Sequence, residues 1–546
     1  MSALSIIVLS AFVQAQSSSI EGTVKTRTGD PIAKATVTLT QNLTQGASTT
    51  FITGSDGRFL FPVVLSGSYK LTAKRNGYAD TEYGRRGTNG GSSSLTVTAG
   101  NNLKDVTLTM IAYGAISGRI TDADGEPAVS APVQALRYTY SEGRRTLTEM
   151  KGVTTNDRGE YRLFWLLPGK YYIRSGGANT VTVNSFNPGV SAVHIMVPGD
   201  LNAPQYAPIY FPGTSDPQTA TAIDLIPGAD YGDVDFTLSP PGSRRVRVSM
   251  MDTNVGQPGA TATLSPRSPA GPTDVKRAAV GGQGQFNGVS PGSYILTVTS
   301  AVNPRDGNAG RRMGASIPVD VRNQDVDVAV TLTPGVDFGG RVSVEGLRNS
   351  GDQADTHPIV SLIPLGNRYI ALGINDFADF HGDEAFDFTD VIAGDYTLMI
   401  EDIPKGQYLK AARLGSNDVL TDGFHIDSRT TGTLDIVLGA DGGTVTGTVV
   451  DVRRQPAANI SVTLIPGENH HNRDDLYKRV TTDPSGRFSI QAVAPGTYTV
   501  FAWEDVDPAN IYDLDFIHRF ASQGRPISIN ASGTENVELI AIPDGY

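Results

Sequence analysis

Pro495-Gly496-Thr497-Tyr498 closes a turn and opens an apolar strand. The same phrase occurs four more times, as Ser66-Gly67-Ser68-Tyr69, Pro168-Gly169-Lys170-Tyr171, Pro291-Gly292-Ser293-Tyr294 and Ala393-Gly394-Asp395-Tyr396. Its glycines lie about 100 residues apart, with one longer step of roughly 120, which is the size of one small β-sandwich. A repeat of this period decides the architecture before any local reading does. It predicts an all-β tandem array of five seven-stranded sandwiches. The glycine is expected to make the turn. The tyrosines Tyr69, Tyr171, Tyr294, Tyr396 and Tyr498 are expected to pack inside their own units, each hydroxyl satisfying a backbone group at the corner.

The rest of the first unit fits. Ile20-Glu21-Gly22-Thr23-Val24 alternates, as a half-buried strand does. Gly29-Asp30-Pro31 is a turn signal, and Ala35-Thr36-Val37-Thr38-Leu39 alternates again. Asp56-Gly57 is a hairpin dipeptide leading into Arg58-Phe59-Leu60-Phe61, and Val106-Thr107-Leu108-Thr109-Met110 closes the unit. Units two and five repeat this grammar, from Ile116-Ser117-Gly118-Arg119-Ile120 and Val445-Thr446-Gly447-Thr448-Val449 respectively. The third is eroded, its opening Arg245-Val246-Arg247-Val248 lacking the central glycine. The fourth keeps Gly340-Arg341-Val342 but not the Gly-x-Pro turn.

The predicted partition is 16–111, 112–239 with an insertion, 240–334, 335–440 and 441–546 with an acidic and aromatic extension. The short joins point to a semi-rigid string. No segment beyond the N-terminus carries a sustained helical period, so under about a tenth of the chain should be helix.

Composition agrees. Gly 61 and Pro 32 in 546 residues, with only 18% charged residues, suit many short strands joined by tight turns. The formal charge of −12 and the lack of any basic run argue against nucleic acid as a partner. With no cysteine, a disulfide framework, a thiolate metal site and a cysteine nucleophile are all excluded. Residues 1–15 read as a signal peptide, with an apolar run from Ala3 to Val13 and a small-x-small site at Val13-Gln14-Ala15. No transmembrane helix is expected once it is removed. The implied location is secreted, periplasmic or at a bacterial cell surface.

The set Ile/Val-x-Gly-x-Val, Gly-x-Pro, Thr-x-x-x-Gly-x-Phe and Pro-Gly-x-Tyr resembles the carboxypeptidase regulatory-like domain family. The resemblance covers units one, two and five well, four partly and three weakly. It implies a transthyretin-like, carbohydrate-binding-like sandwich, in tandem arrays similar to exported acidobacterial proteins. Tyr210-Phe211-Pro212-Gly213-Thr214 and Phe501-Ala502-Trp503-Glu504-Asp505-Val506-Asp507-Pro508 look like companions of such arrays. A fold of this kind hosts many roles, so activity must be argued from the site.

No catalytic, metal or cofactor residue is expected. His381-Gly382-Asp383-Glu384 has zinc-ligand spacing, but it sits in a turn, and His518 lies in another unit with no peptidase domain between them. Adjacent His470 and His471 point to opposite sides of an extended chain. The candidate ligand-binding residues are Trp503, Glu504, Asp505, Asp507 and Tyr512, with a glycan or an envelope protein as partner. The reading is an exported, non-catalytic, multi-domain binding protein. A structural or adhesive rod that self-associates through edge strands stays open beside it. More remote is an accessory array of an outer-membrane transporter or of a metallocarboxypeptidase-related protein.

Overall fold

A computed structural model describes residues 18–43, 46–141, 144–176, 180–183, 193–196, 206, 208–238, 244–251, 260–267, 275–280, 283–300, 311–322, 324–346, 357–364, 376–381, 384–421, 423–430 and 432–543. The signal segment 1–15 lies outside the described residues. The chain is all-β. Among the described residues there is one α-helix, Leu514–Arg519, and a few single 3-10 turns. No helix among them is long and apolar enough to cross a membrane.

The fifth unit shows the plan. Gly443–Val450 runs antiparallel to Arg487–Val493 and parallel to Thr534–Ile540. The facing sheet takes the order Lys478–Thr481, Ser461–Pro466, Gly496–Trp503, Arg525–Ile529. The first unit repeats the three-stranded sheet with Ser18–Lys25 at its centre, parallel to Asn102–Thr109. The third does so with Arg244–Met250 parallel to Val326–Val330. Each of the five repeat units has its own cluster of buried apolar side chains, contributed by the alternating inward residues of its two sheets.

Three side-chain devices explain the repeated motif. The first is the tyrosine. Tyr69, Tyr171, Tyr294, Tyr396 and Tyr498 are all buried. Each donates its hydroxyl to the carbonyl four residues back: Leu65 (3.0 Å), Leu167 (2.8 Å), Ser290 (2.9 Å), Ile392 (2.6 Å) and Ala494 (2.9 Å). Burial pushes the Tyr498 hydroxyl up to about 12, so it stays a donor throughout the physiological range.

The second is the threonine that opens the hairpin phrase. Thr53, Thr155 and Thr482 are buried and bond twice. Thr482 Oγ1 donates to the Ala457 carbonyl (2.7 Å) and accepts from Ile460 N–H (2.9 Å), and Thr53 does the same with Ile32 and Ala35. Thr155 does so with Ala128 and Ala131. The hairpin is thereby tied to the residue that follows the turn proline, Pro31, Pro127 or Pro456.

The third is the central glycine of the opening strand. A Cβ at Gly22 would fall on the Val106 carbonyl and the Phe59 ring, and one at Gly447 on the Val537 carbonyl and the Phe488 ring. Only hydrogen lets strand and ring approach this closely. In the eroded third unit Val246 occupies that register, opposite Phe286 and beside Val326.

One detail differs from the sequence reading. The corner glycine does not supply the left-handed residue in every unit. Gly292, Gly394 and Gly496 lie outside that region and begin their strands. The left-handed residue in four units stands four positions earlier, at Trp165 (φ 59°), Gly288 (63°), Asp390 (55°) and Ala492 (52°). There one extra residue bulges the strand, as between Phe164 and Leu166.

Two substitutions test these devices. Tyr498→Phe leaves the buried Ala494 carbonyl without its donor and should cost about 1–3 kcal/mol. Gly447→Ala forces strand and ring apart and should cost a similar amount. Both should show as faster hydrogen exchange across Gly496–Trp503, with the cores of units one to four unchanged.

Candidate functional site

The extension of unit five begins where Gly496–Trp503 leaves the sheet. Trp503 is only 2% exposed. Its ring stacks on Phe501 (5.3 Å between centroids, 22° between planes) and meets Phe516 and Phe520, and its indole N–H donates to Thr463 Oγ1 (2.9 Å). These rings join Ile465, Val506, Ile511 and Ile517 in a second small core on the outer face of the sheet. That explains why Ser461–Pro466 is buried on both faces.

The short helix is what makes this cover, and sequence periodicity had not predicted it. At six residues it is too short to show a period. It starts because the Asp513 carboxylate accepts from the N–H groups of Asp515 (3.0 Å) and Phe516 (3.2 Å).

With the aromatic side folded in, the carboxylates point outward, onto units one and two. Asp505, whose side chain is 11% exposed, accepts from Thr88 N–H (2.9 Å) and Asn89 N–H (3.0 Å), with Arg27 at 3.7 Å. Glu504 pairs with Arg86. Asp507 pairs with Arg137 of unit two (2.7 Å) and also accepts from Ala509 N–H (3.0 Å). Tyr512 lies between Tyr477 (4.4 Å) and Tyr140 of unit two (6.3 Å, near-parallel). Beside them Asn459 bonds to Ser93 Oγ and the Gly84 carbonyl, and Arg479 donates to the Asn89 carbonyl.

The structure thus brings all five candidate residues into one region, with Trp503 inside it and the other four facing neighbouring groups of this chain. Two charge-assisted bonds to backbone amides contribute roughly 1.5–3 kcal/mol each, more than an exposed ion pair.

The receptor is the segment Gly84-Arg85-Arg86-Gly87-Thr88-Asn89-Gly90-Gly91, which the sequence reading passed over. Its signal was the clustering of glycine with arginine. Gly87 is left-handed (φ 64°), and a Cβ there would strike the Asp505 carboxylate. Glycine is therefore needed for the two amides to converge on one anion. The units consequently do not run as an open string. Unit five lies against units one and two, although Arg86 and Glu504 are 418 residues apart in sequence.

His381 and His518 each meet a different carboxylate. The His381 ring meets Asp387 (3.1 Å), His518 meets Glu468 (3.0 Å), and His471 bonds to the Glu468 carbonyl. Gly382 and Asp383 lie outside the described residues. Among the described residues no three His, Asp or Glu side chains gather as metal ligands. In the insertion of unit two, Tyr210 is buried over the Arg174 guanidinium (5.9 Å), and the Phe211–Pro212 bond is cis.

Fold and corner together define a multi-domain β-sandwich protein built on a repeated module. The family model of the carboxypeptidase regulatory-like domain matches residues 19–110, in unit one, and 444–506, in unit five. Among solved structures, the chain is similar to the Bacillus anthracis TIE protein, at 11% identity over 95% of this chain and 72% of that one, with a TM-score of 0.16. It is also similar to a minor pilin of Streptococcus agalactiae, at 13% identity over 41% of this chain and 96% of that one, with a TM-score of 0.21. A third is the shaft pilin SpaA of Lactobacillus rhamnosus GG, at 12% identity over 41% and 97%, with a TM-score of 0.20. No curated protein matches the chain.

Asp505→Ala removes the acceptor shared by two amides. Hydrogen exchange at Thr88 and Asn89 should rise by about tenfold or more. Substituting Asp515, which is exposed and binds nothing across the contact through its side chain, should leave both amides unchanged.

Proposed function

We propose that this chain is an exported, non-catalytic, multi-domain protein of the cell surface or envelope. Five sandwich domains, at 16–111, 112–239, 240–334, 335–440 and 441–546, would follow a signal peptide at 1–15. Its task is to hold binding surfaces in fixed relative positions outside the cytoplasm. The partner is a glycan or an envelope protein.

One observation carries this reading. Glu504, Asp505 and Asp507, the group that most resembles a catalytic or ligand site in sequence, are engaged by Arg86, the amides of Thr88 and Asn89, and Arg137. Carboxylates committed in this way stabilise an arrangement of domains and are not free to move protons or hold a metal. The buried Trp503 likewise offers no ring face for stacking. The contact of unit five with units one and two favours a closed scaffold over an extended rod.

Cell fractionation with N-terminal sequencing tests the reading. The mature chain should appear in the envelope or medium, beginning at Gln16. Purified protein supplied with zinc should release no C-terminal amino acid from peptides. A chain retained in the cytoplasm with residues 1–15 intact would overturn the export, and zinc-dependent turnover would overturn the non-catalytic role.

A further inference from the structure

One border strand recurs in the same place in every unit. In units one to five it is Ser48–Ile52, Arg144–Thr154, Lys276–Val280, Asp376–Phe377 and Lys478–Thr481, each pairing on one side only. An open edge presents N–H and C=O groups that another strand can take up, and charged side chains are a common guard against it. Four of the five carry charges in their sequence: Arg144, Arg145 and Lys151; Lys276 and Arg277; Asp376; Lys478 and Arg479. Ser48-Thr49-Thr50-Phe51-Ile52 carries none, and no charged residue occurs from Ala35 to Ser55. A second difference goes with the first. On the outer face, at the register of Thr38, units two to five hold Gln134, Thr263, Ser361 and Thr463, and all four are buried. Thr38 is only half-buried.

The register says which groups the edge offers. Ser48–Ile52 runs antiparallel to Thr36–Gln41, with Thr50 opposite Thr38. Gln41 N–H donates to the Ala47 carbonyl (3.1 Å), and Thr53 N–H to the Ala35 carbonyl (3.0 Å). Bonded and non-bonded pairs alternate along an antiparallel ladder. Thr49 and Phe51 therefore bond to Thr36–Gln41, and Ser48, Thr50 and Ile52 turn their main-chain groups to the open side. Among the described residues no strand pairs there. Ser48, Thr50 and Ile52 are all exposed, Ile52 at 66%. The contact with unit five leaves this edge open. The receptor at 84–91 follows Thr81–Glu82, which borders the same sheet on its opposite side.

We propose that Ser48–Ile52 pairs antiparallel with the same strand of a second copy, so that two sheets of unit one become a single sheet across a two-fold axis. The row of free main-chain groups requires an extended strand as the occupant. The sequence of the edge fits its own copy. With the axis at Thr50, this residue exchanges both main-chain bonds with its counterpart, and Ser48 does so with Ile52. Phe51, half-buried with its ring 6.4 Å from that of Phe61, gains Thr49 of the other copy beside it. These are threonine and apolar pairs of the kind that stabilise a sheet, and no charge meets its like. The same pairing at Lys276–Val280 or Lys478–Thr481 would crowd the lysines and arginines of both copies together. Among the five edges, that of unit one admits its own copy without this cost.

Sedimentation velocity on the full chain, from about 1 to about 100 µM, covers the weak affinity expected of so short an edge. Wild type should pass from monomer to dimer with concentration. Salt screens the repulsion between copies that each carry −12, so raising it should leave the dimer in place. Thr50→Lys installs a charge of the kind the other edges carry and should raise the midpoint by at least about tenfold. Thr50→Val keeps the edge uncharged and should still pair. Hydrogen exchange distinguishes edge pairing from any other dimer. As concentration rises, the amides of Ser48, Thr50 and Ile52 should slow by about tenfold or more. Those of Thr49 and Phe51, already bonded, should stay slow throughout, and in Thr50→Lys they report that the strand is folded. Monomer at every concentration would overturn the proposal. So would a dimer that survives Thr50→Lys, dissolves in salt, or leaves Ser48, Thr50 and Ile52 unprotected. Protection of these amides that needs an added polysaccharide or a different protein would overturn it as well.

Discussion

A single hydrogen bond, from a buried tyrosine hydroxyl to the carbonyl four residues before it, recurs in every unit and fixes the corner of each sandwich. The carbonyl lies in the turn that leaves one sheet, and the tyrosine stands on the first residues of the other. The bond therefore sets the angle at which the two layers meet. In units one, four and five the opening strand also passes beneath a Phe ring, which is why Gly22, Gly340 and Gly447 carry no side chain. The threonine tie then fixes the remaining turn in units one, two and five. The tyrosine and the threonine each satisfy backbone groups that burial would otherwise leave unpaired.

The same economy governs the contact between units. Unit five folds its aromatic extension inward and turns its acids outward. The acids then find either arginines or backbone amides exposed by a glycine-rich segment. Each contact is modest by itself. Several converge within a few residues of each other, and they join parts of one chain, so no translational entropy is lost when they form.

Much of the fold could be read from the sequence, because alternation, turn residues and a fixed period are local signals. The strands around Gly22, Gly118 and Gly447 lie where alternation placed them. The corner was read less well. In four units a left-handed residue sits four positions before the glycine, since a bulge depends on the register against the neighbouring strand, which one segment cannot reveal. The candidate site was read only as a cluster. Trp503, Glu504, Asp505, Asp507 and Tyr512 do lie together, but their partners Arg86, Thr88, Asn89, Arg137 and Tyr140 are hundreds of residues away. Nothing in a single sequence marks such a pairing, beyond the local oddity of arginine set among glycines.

The distance along the chain between the two halves of this contact has a consequence in time. Units one and two are synthesised and emerge first, with Arg86, Arg137 and the amides of Thr88 and Asn89 facing water. The acids that cover them arrive only with the last unit. Assembly of the whole is therefore ordered by synthesis: early units fold on their own cores, and their final neighbour is supplied at the end. A chain cut short before Trp503 would keep the corners of units one to four and lose its closure, leaving a basic, glycine-lined surface exposed as the mark of an unfinished molecule.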